Sequence, residues 1–254
     1  MNSWCWAGSA ESWASRLLLR ERGVRPENGL KYFDIAMFNY GEYRMRTKAD
    51  RELPAIHATA SAADNRRSIR QYESTPIPNA DLTELLRLAS RAPSAFNAQP
   101  WRFIVVQDPA LKAELSAAAY GQQQILRAPA TIVIYSDMVD ALKRMPESMH
   151  PDMPQDKRDA GVDSFRATFA NQSAAERETW GQGQANIALG YLLLLAESKG
   201  YATSPMLGFQ PDKVKALLGL PEHVRIPALV SIGYPAEEGF RPHRLPVETL
   251  SEFR

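Results

Sequence analysis

The segment from Trp180 to Lys199 constrains this chain most, because it has helix length and is apolar nearly all round from Ile187 to Ala196. A helix without a polar face must be covered, either by its own fold or by a partner subunit. Gly200 follows as a C′ stop. The apolar run is about half of the roughly 20 residues that cross a bilayer, so it predicts a buried helix and no membrane span. With 254 residues the chain is long enough to bury such an element in a core without staples. The only cysteine is Cys5, which excludes an intramolecular disulfide and Cys-rich metal sites and suits a reducing cytoplasm. His57, His150, His223 and His243 show no HxH or HExxH spacing, so no metal site is predicted. Thirty Lys and Arg against 29 Asp and Glu leave a net charge of +1, which gives no electrostatic footprint for nucleic acid or an anionic membrane. The N-terminus lacks a basic stretch followed by an apolar one, so no signal peptide is read and a cytoplasmic location is expected.

Two parts are expected. Residues 1–55 carry Trp4, Trp6 and Trp13, a short helix candidate at Arg16–Arg22, aromatics from Tyr32 to Tyr43 and a basic stretch to Lys48. Their apolar periodicity is poor, and they form an N-terminal extension of unassigned order. From Ile56 to Arg254 the pattern sharpens. Leu82, Leu85, Leu86 and Ala89 make the stripe of an amphipathic helix, with Asn79 as N-cap and Pro93 beyond its end. Trp101–Gln107, Ala130–Tyr135 and Ala228–Tyr234 predict strands. Asp108-Pro109 caps a helix running to about Ala119, and Pro211 to Leu218 is a short helix closed by Gly219. Ser136 to Arg177, polar and interrupted by Pro146, Pro151 and Pro154, predicts an excursion with a short helix outside the core. Helices and strands mix without a regular βαβ spacing, so the fold class is α+β.

Three clusters carry candidate chemistry. Arg66-Arg67-Ser68-Ile69-Arg70 offers guanidinium forks and a hydroxyl suited to phosphate, or a solvated basic patch; in a helix Arg66 and Arg70 would share a face. Pro93-Ser94-Ala95-Phe96-Asn97-Ala98-Gln99-Pro100-Trp101 is a rigid polar loop beside a core strand, fit for ligand contact or simply a turn. Ser204-Pro205-Met206-Leu207-Gly208-Phe209 either brings backbone N–H groups close to a flat ligand or turns the chain. Gly181-Gln-Gly183-Gln184 imitates a dinucleotide fingerprint, but it lacks the third glycine and does not follow a strand. GxxxxGK and GxSxG are absent, which removes P-loop and nucleophile-elbow chemistry.

In this order and spacing the clusters resemble the nitroreductase family. Arg66 to Arg70 is similar to its opening phosphate motif, Pro93 to Trp101 to its P-S-x-x-N-x-Q-P-W loop, and Ser204 to Phe209 to its flavin-covering turn. Val230 to Pro235 and Arg241-Pro-His-Arg244-Leu-Pro resemble its last strand and closing basic motif. The resemblance starts near Ile56, leaves out the extension, and is strongest to the small subgroup linked to quinone and nitro-compound detoxification through Ala119–Ile125. It implies a nitroreductase-like α+β fold, a mostly antiparallel sheet flanked by helices in an intertwined homodimer with FMN at the interface. Arg66, Arg67, Ser68 and Arg244 would hold the FMN phosphate, and Arg70 and Gln124 would lie near the flavin N1–O2 edge. Ser94 and Asn97 would reach the flavin from the partner subunit. Pro205, Met206, Leu207 and Gly208 would cover one face. Leu207 and Gln124 stand where some relatives carry Glu and Lys, so this flavin edge is less charged. The implied activity is FMN-dependent reduction of nitroaromatics or quinones by NAD(P)H in a ping-pong cycle, with hydride passing through flavin N5 and no catalytic side chain. A flavin-binding protein without turnover, a store or regulatory module, is the alternative.

Overall fold

The computed structural model describes residues 54–254. The aromatic, basic and short-helix expectations for residues 1–53, together with Cys5, lie outside the described residues.

Four strands, β1 (Trp101–Val106), β2 (Ala130–Ser136), β3 (Ala202–Met206) and β4 (Arg225–Gly233), form one sheet in the order β1-β2-β4-β3. All neighbouring pairs are antiparallel, with Trp101 opposite Ser136, Ala130 opposite Ile232 and Ala202 opposite Gly233. The helices are α1 (Pro54–Asn65), α2 (Asn79–Ala89), α3 (Pro109–Ala118), α4 (Gln123–Arg127), α5 (Met138–Ser148), α6 (Gln155–Phe169), α7 (Ala174–Ser198), α8 (Pro211–Leu218) and α9 (Val247–Leu250). The predicted strands are present, and the predicted turn Ser204–Met206 is instead the end of strand β3.

The central strands are apolar on both faces because helices cover both. Ile132, Ile134, Val230 and Ile232 pack with Leu82, Leu85 and Ala89 of α2 and with Ala185, Ala188, Leu192 and Ala196 of α7. Period-2 alternation sends Val133 and Leu229 to the other face, where they meet Leu115 of α3, Ile125 of α4 and Val214 of α8. Small residues at Gly181, Ala185, Ala188 and Ala196 let α7 lie close to the sheet. The helix is 25 residues long, and only part of its apolar surface is buried within the chain; Ile187 and Tyr191 on its outer face stay 39% and 41% exposed.

Local signals set most boundaries. Asp108 caps α3, its carboxylate accepting from Leu111 N at 2.8 Å, and Ser173 with Glu176 forms a capping box on α7. Asn79 is not a cap: it is the first helical residue of α2, and Pro78 before it accepts from Asp81 N and Leu82 N through its carbonyl. The excursion after Ser136 differs more. It is a pair of helices, α5 and α6, with a core of their own in which Met138, Ala141, Met145, Val162, Phe165 and Phe169 are buried beside Ala98. The prolines misled because they mark ends: Pro146 falls in the last turn of α5, and Pro154 precedes α6.

Candidate functional site

The Arg66–Arg70 segment is extended, not helical. Helix α1 closes with Arg66 N donating to Ala62 O, and the chain then runs beside β3, where Ile69 N donates to Thr203 O at 3.1 Å. Ile69 and Tyr72 anchor it in a small apolar cluster with Ala128 and Ala202, and the buried Tyr72 hydroxyl donates to Ile69 O. Extended backbone separates the arginines' tasks. Arg67 donates through Nε to Glu238 O and through Nη1 to Asn65 O, so it braces the C-terminal segment. Glu237 accepts from Arg70 N and Gln71 N at 2.6 and 3.1 Å and holds the same two segments together.

Arg66 is different. Its Nη1 is buried without a hydrogen-bond partner. Burial lowers its pKa from the ordinary arginine value, the nearby positive Arg244 lowers it further, and Glu197 opposes both. Two guanidinium groups that feel each other's charge, one with an orphaned buried nitrogen, make a cradle that a phosphate dianion would complete. Ser68, half-buried, sits in the same segment.

A second group joins elements distant in sequence. Gln124 Nε2 donates to Gln122 Oε1 at 2.6 Å, and Gln122 Nε2 donates to Gly208 O at 2.6 Å. Gln124 is therefore tied to the turn after β3, where Leu207 is 79% exposed and Met206 is buried in the core. Pro205 is half-buried within β3. Of the 205–208 segment, only Leu207 and Gly208 leave the sheet. Lys112, which sequence reasoning missed, supports this group from behind: its buried ammonium donates to Ala128 O at 2.7 Å and Leu126 O at 3.4 Å, where α4 ends. Burial holds its pKa below the ordinary lysine value.

Ser94 and Asn97 form a third group on the loop before β1. Phe96, Asn97 and Gln99 all have left-handed backbone, with φ of 58°, 56° and 44°. Such strain persists only where the surroundings over-determine it. Here Ser94 Oγ accepts from Gln99 N, Asn97 Nδ2 donates to Ser148 O at 2.7 Å, and Gln184 Oε1 accepts from Ala95 N. Phe96 meets Phe165 edge-on. An open cleft of about 390 Å³ beside the loop is lined by Gln99, Arg102, Asp140, Arg144 and Glu147, with each arginine paired to a carboxylate. Among the described residues no hydrogen bond joins Ser94 or Asn97 to the other two groups.

The loop's far end rests on a buried polar cluster. Glu178 of α7 accepts from Ser136 Oγ at 2.7 Å and Met138 N at 2.6 Å, and His223 Nε2 lies 3.1 Å from Asp137 Oδ1. Asp137 N in turn donates to Pro100 O. Asp137, Glu178 and His223 bring ligand atoms within 4.8 Å of one another, a grouping that spacing along the chain does not reveal. Hydrogen bonds already engage all three, so the cluster acts as a clamp. Burial raises the Glu178 pKa, against the two donated hydrogen bonds and His223. A carboxyl whose folded pKa is raised binds its proton more tightly when folded, so its contribution to stability declines as pH rises from the ordinary carboxyl range to the raised value. As pH rises from about 4 through the raised value, the melting temperature of the wild type is expected to fall relative to that of Glu178→Gln. Parallel melting profiles would show that Glu178 does not titrate with folding.

The match to the family model described as the nitroreductase family covers residues 63–234, more than half of the chain and all three groups except Arg244. The chain belongs to the nitroreductase family. It is 48% identical over 202 residues to a Thermus thermophilus protein named NADH dehydrogenase, covering 80% of this chain and 98% of that one. YdgI of Bacillus subtilis, assigned by its name to the NAD(P)H nitroreductases, is 34% identical over 199 residues, covering 74% and 94%. The crystal structure of an Exiguobacterium sibiricum nitroreductase-type protein in complex with FMN superposes with a TM-score of 0.72 at 28% identity, covering 77% of this chain and 97% of that one. The nitroreductase-like α+β fold expected from the sequence is thus present, and the chain is an oxidoreductase of this family. Among the described residues no helix is long and apolar enough to cross a membrane.

Proposed function

We propose that this nitroreductase-family chain is an FMN-dependent NAD(P)H oxidoreductase that reduces nitroaromatics or quinones. The observation that carries the reading is the buried Nη1 of Arg66, which has no hydrogen-bond partner within the chain and lies in the field of a second arginine, Arg244, a combination that fits a phosphomonoester. Arg66, Ser68 and Arg244 hold the phosphate, Arg67 joins them only through the terminal Nη2 that its bonds to Glu238 O and Asn65 O leave over, and Arg70 and Gln124 lie toward the N1–O2 edge. Leu207 and Gly208 present backbone N–H groups to the N5 side. Bound FMN supplies hydride acceptance and donation, so the protein's task is placement and electrostatics. Gln124 supplies neutral amide polarity at an edge where a lysine would supply a full charge. Leu207, exposed and apolar, excludes water from that rim.

The site is completed by a homodimer. Ile187 and Tyr191 on α7 and Phe240, Leu245, Val247, Leu250 and Phe253 of the C-terminal segment are all exposed in the single chain, and an apolar surface of that extent calls for a partner. Ser94 and Asn97 then serve the partner's flavin from their strained loop. A cytoplasmic location, with reduced nicotinamide donors at hand, belongs to the same reading.

The test is an absorbance spectrum of the purified protein, followed by anaerobic addition of NADH and NADPH. A yellow protein is expected that bleaches with one or both donors and recovers with menadione or a nitroarene. Its sedimentation mass should be twice the 28.4 kDa of the chain. FMN-loaded protein that leaves both donors unoxidised across a panel of quinones and nitroarenes would overturn the enzymatic reading and leave a flavin-binding module.

A further inference from the structure

Gln122 lies within the Ala119–Ile125 stretch but has no role of its own in the motifs named above, yet among the described residues its side chain connects two of the flavin-directed elements. Its backbone has little freedom. Tyr120 and Gly121 turn the chain sharply out of α3 with φ of 55° and 75°. Gln122 N donates to Ala119 O, and its carbonyl accepts from Ser116 Oγ at 3.1 Å and Ile125 N at 3.2 Å. From that base the half-buried side chain bonds at both ends. The direction of the bonds follows from chemistry: Gly208 O can only accept, so the amide nitrogen of Gln122 faces it. The amide oxygen of Gln122 then faces Gln124, which must present its own nitrogen. One peptide carbonyl therefore sets the orientation of two side-chain amides in series. A Cβ at Gly208 would lie 3.4 Å from Gln122 Nε2, in van der Waals contact with it.

We propose that Gln122 is a positioning residue for the flavin site, fixing the orientation of the Gln124 amide and the 207–208 turn together. The proposal rests on the FMN reading given above. Gln122 touches no reacting atom. It holds Gln124 with its nitrogen committed to one neighbour, leaving the other N–H and the oxygen of Gln124 for the flavin edge, and it restrains the peptide whose N–H groups face the other side. A relay of this kind substitutes fixed dipoles for the charge that a lysine would supply, and it works only if the dipoles cannot turn.

Two substitutions separate positioning from mere structure. Gln122→Met keeps length and removes both hydrogen bonds. It is expected to shift the visible spectrum and midpoint potential of bound FMN, and to slow reduction by NAD(P)H about tenfold, the scale of one hydrogen bond. Gln122→Glu tests direction. As a neutral acid it donates to Gly208 O and accepts from Gln124; once ionised it can only accept and opposes the Gly208 carbonyl. Its flavin spectrum and potential should match those of the wild type at acid pH and depart from those of the wild type at the same pH as the carboxyl ionises, losing the bond to Gly208 O while keeping that from Gln124.

A Gln122→Met protein with wild-type spectrum, potential and FMN affinity overturns the proposal, as does a Gln122→Glu protein that tracks the wild type throughout. Should Gln122→Met fail to fold, the Gln122→Glu profile decides alone. Failure of the underlying reading is distinct, because wild-type protein would then take up no FMN.

Discussion

FMN affinity should fall about 10- to 150-fold when Arg66 is replaced by alanine, the equivalent of losing one charge-assisted hydrogen bond worth about 1.5–3 kcal/mol. The same substitution should leave the flavin-free protein as stable as before, or more so. Both halves follow from one observation. The Arg66 guanidinium is part-buried, its Nη1 has no hydrogen-bond partner, and burial and Arg244 outweigh the attraction of Glu197, so in the chain alone its charge is held unfavourably. A phosphate reverses that balance by accepting from the orphaned nitrogen and neutralising both cations. Flavin fluorescence titration measures the first half, and thermal melting of the apoprotein measures the second. Unaltered affinity in Arg66→Ala would move the phosphate away from this cradle. Unaltered affinity together with a large drop in melting temperature would make Arg66 a structural residue.

The largest loss of stability is expected from Gly181→Val. A Cβ at this position would lie 2.7 Å from Met138 Cγ, 3.1 Å from its sulfur and 3.3 Å from Ser136 Cβ. Met138 and Ser136 are buried at 1% and 0% exposure, so neither has space to withdraw. Overpacking of this kind costs about 1–3 kcal/mol. A second cost adds to it, because Glu178 lies one turn earlier on α7 and bonds to Ser136 Oγ and Met138 N. Pushing the helix away strands a buried carboxylate, at about 1–3 kcal/mol more. A total of about 2–6 kcal/mol is expected from denaturant unfolding. Adding Met138→Ala should recover part of it, since the two positions are in contact and couple. Equal stability of Gly181→Val and wild type would mean that α7 does not approach β2 as closely as described.

Gly181 also shows how the dinucleotide-like glycines are used. In Gly181-Gln-Gly183-Gln184 the first glycine admits α5 and β2, and Gln184 accepts from Ala95 N to hold the strained loop. These residues serve a helix–sheet contact and a loop anchor, tasks that the local pattern does not display. The same holds for Lys112, Gln122 and Glu178. Each is a polar residue of ordinary type in an ordinary helical or turn context, and each acquires its role from a partner 14 to 86 residues away. The Arg66–Arg70 segment lies between these cases. Its residue types pointed to phosphate, but helical spacing would have put Arg66 and Arg70 on one face. The extended backbone beside Thr203 instead gives Arg66, Arg67 and Arg70 separate surroundings.

By itself the sequence determined three of the four strands, the α2 stripe, the Asp108 cap, the family and the residue types at the three clusters, because propensity, capping and periodicity act over a few residues. The tertiary structure alone decided that Ser136–Arg177 is a helical pair with its own core and that Asn79 does not cap. It alone decided that Arg66 keeps an orphaned nitrogen while Arg67 spends its bonds on the C-terminal segment, and that Gln122 links α4 to Gly208. The physical reason is that burial, close approach and hydrogen-bond satisfaction are properties of surroundings assembled from distant parts of the chain, and no window of neighbouring residues contains them.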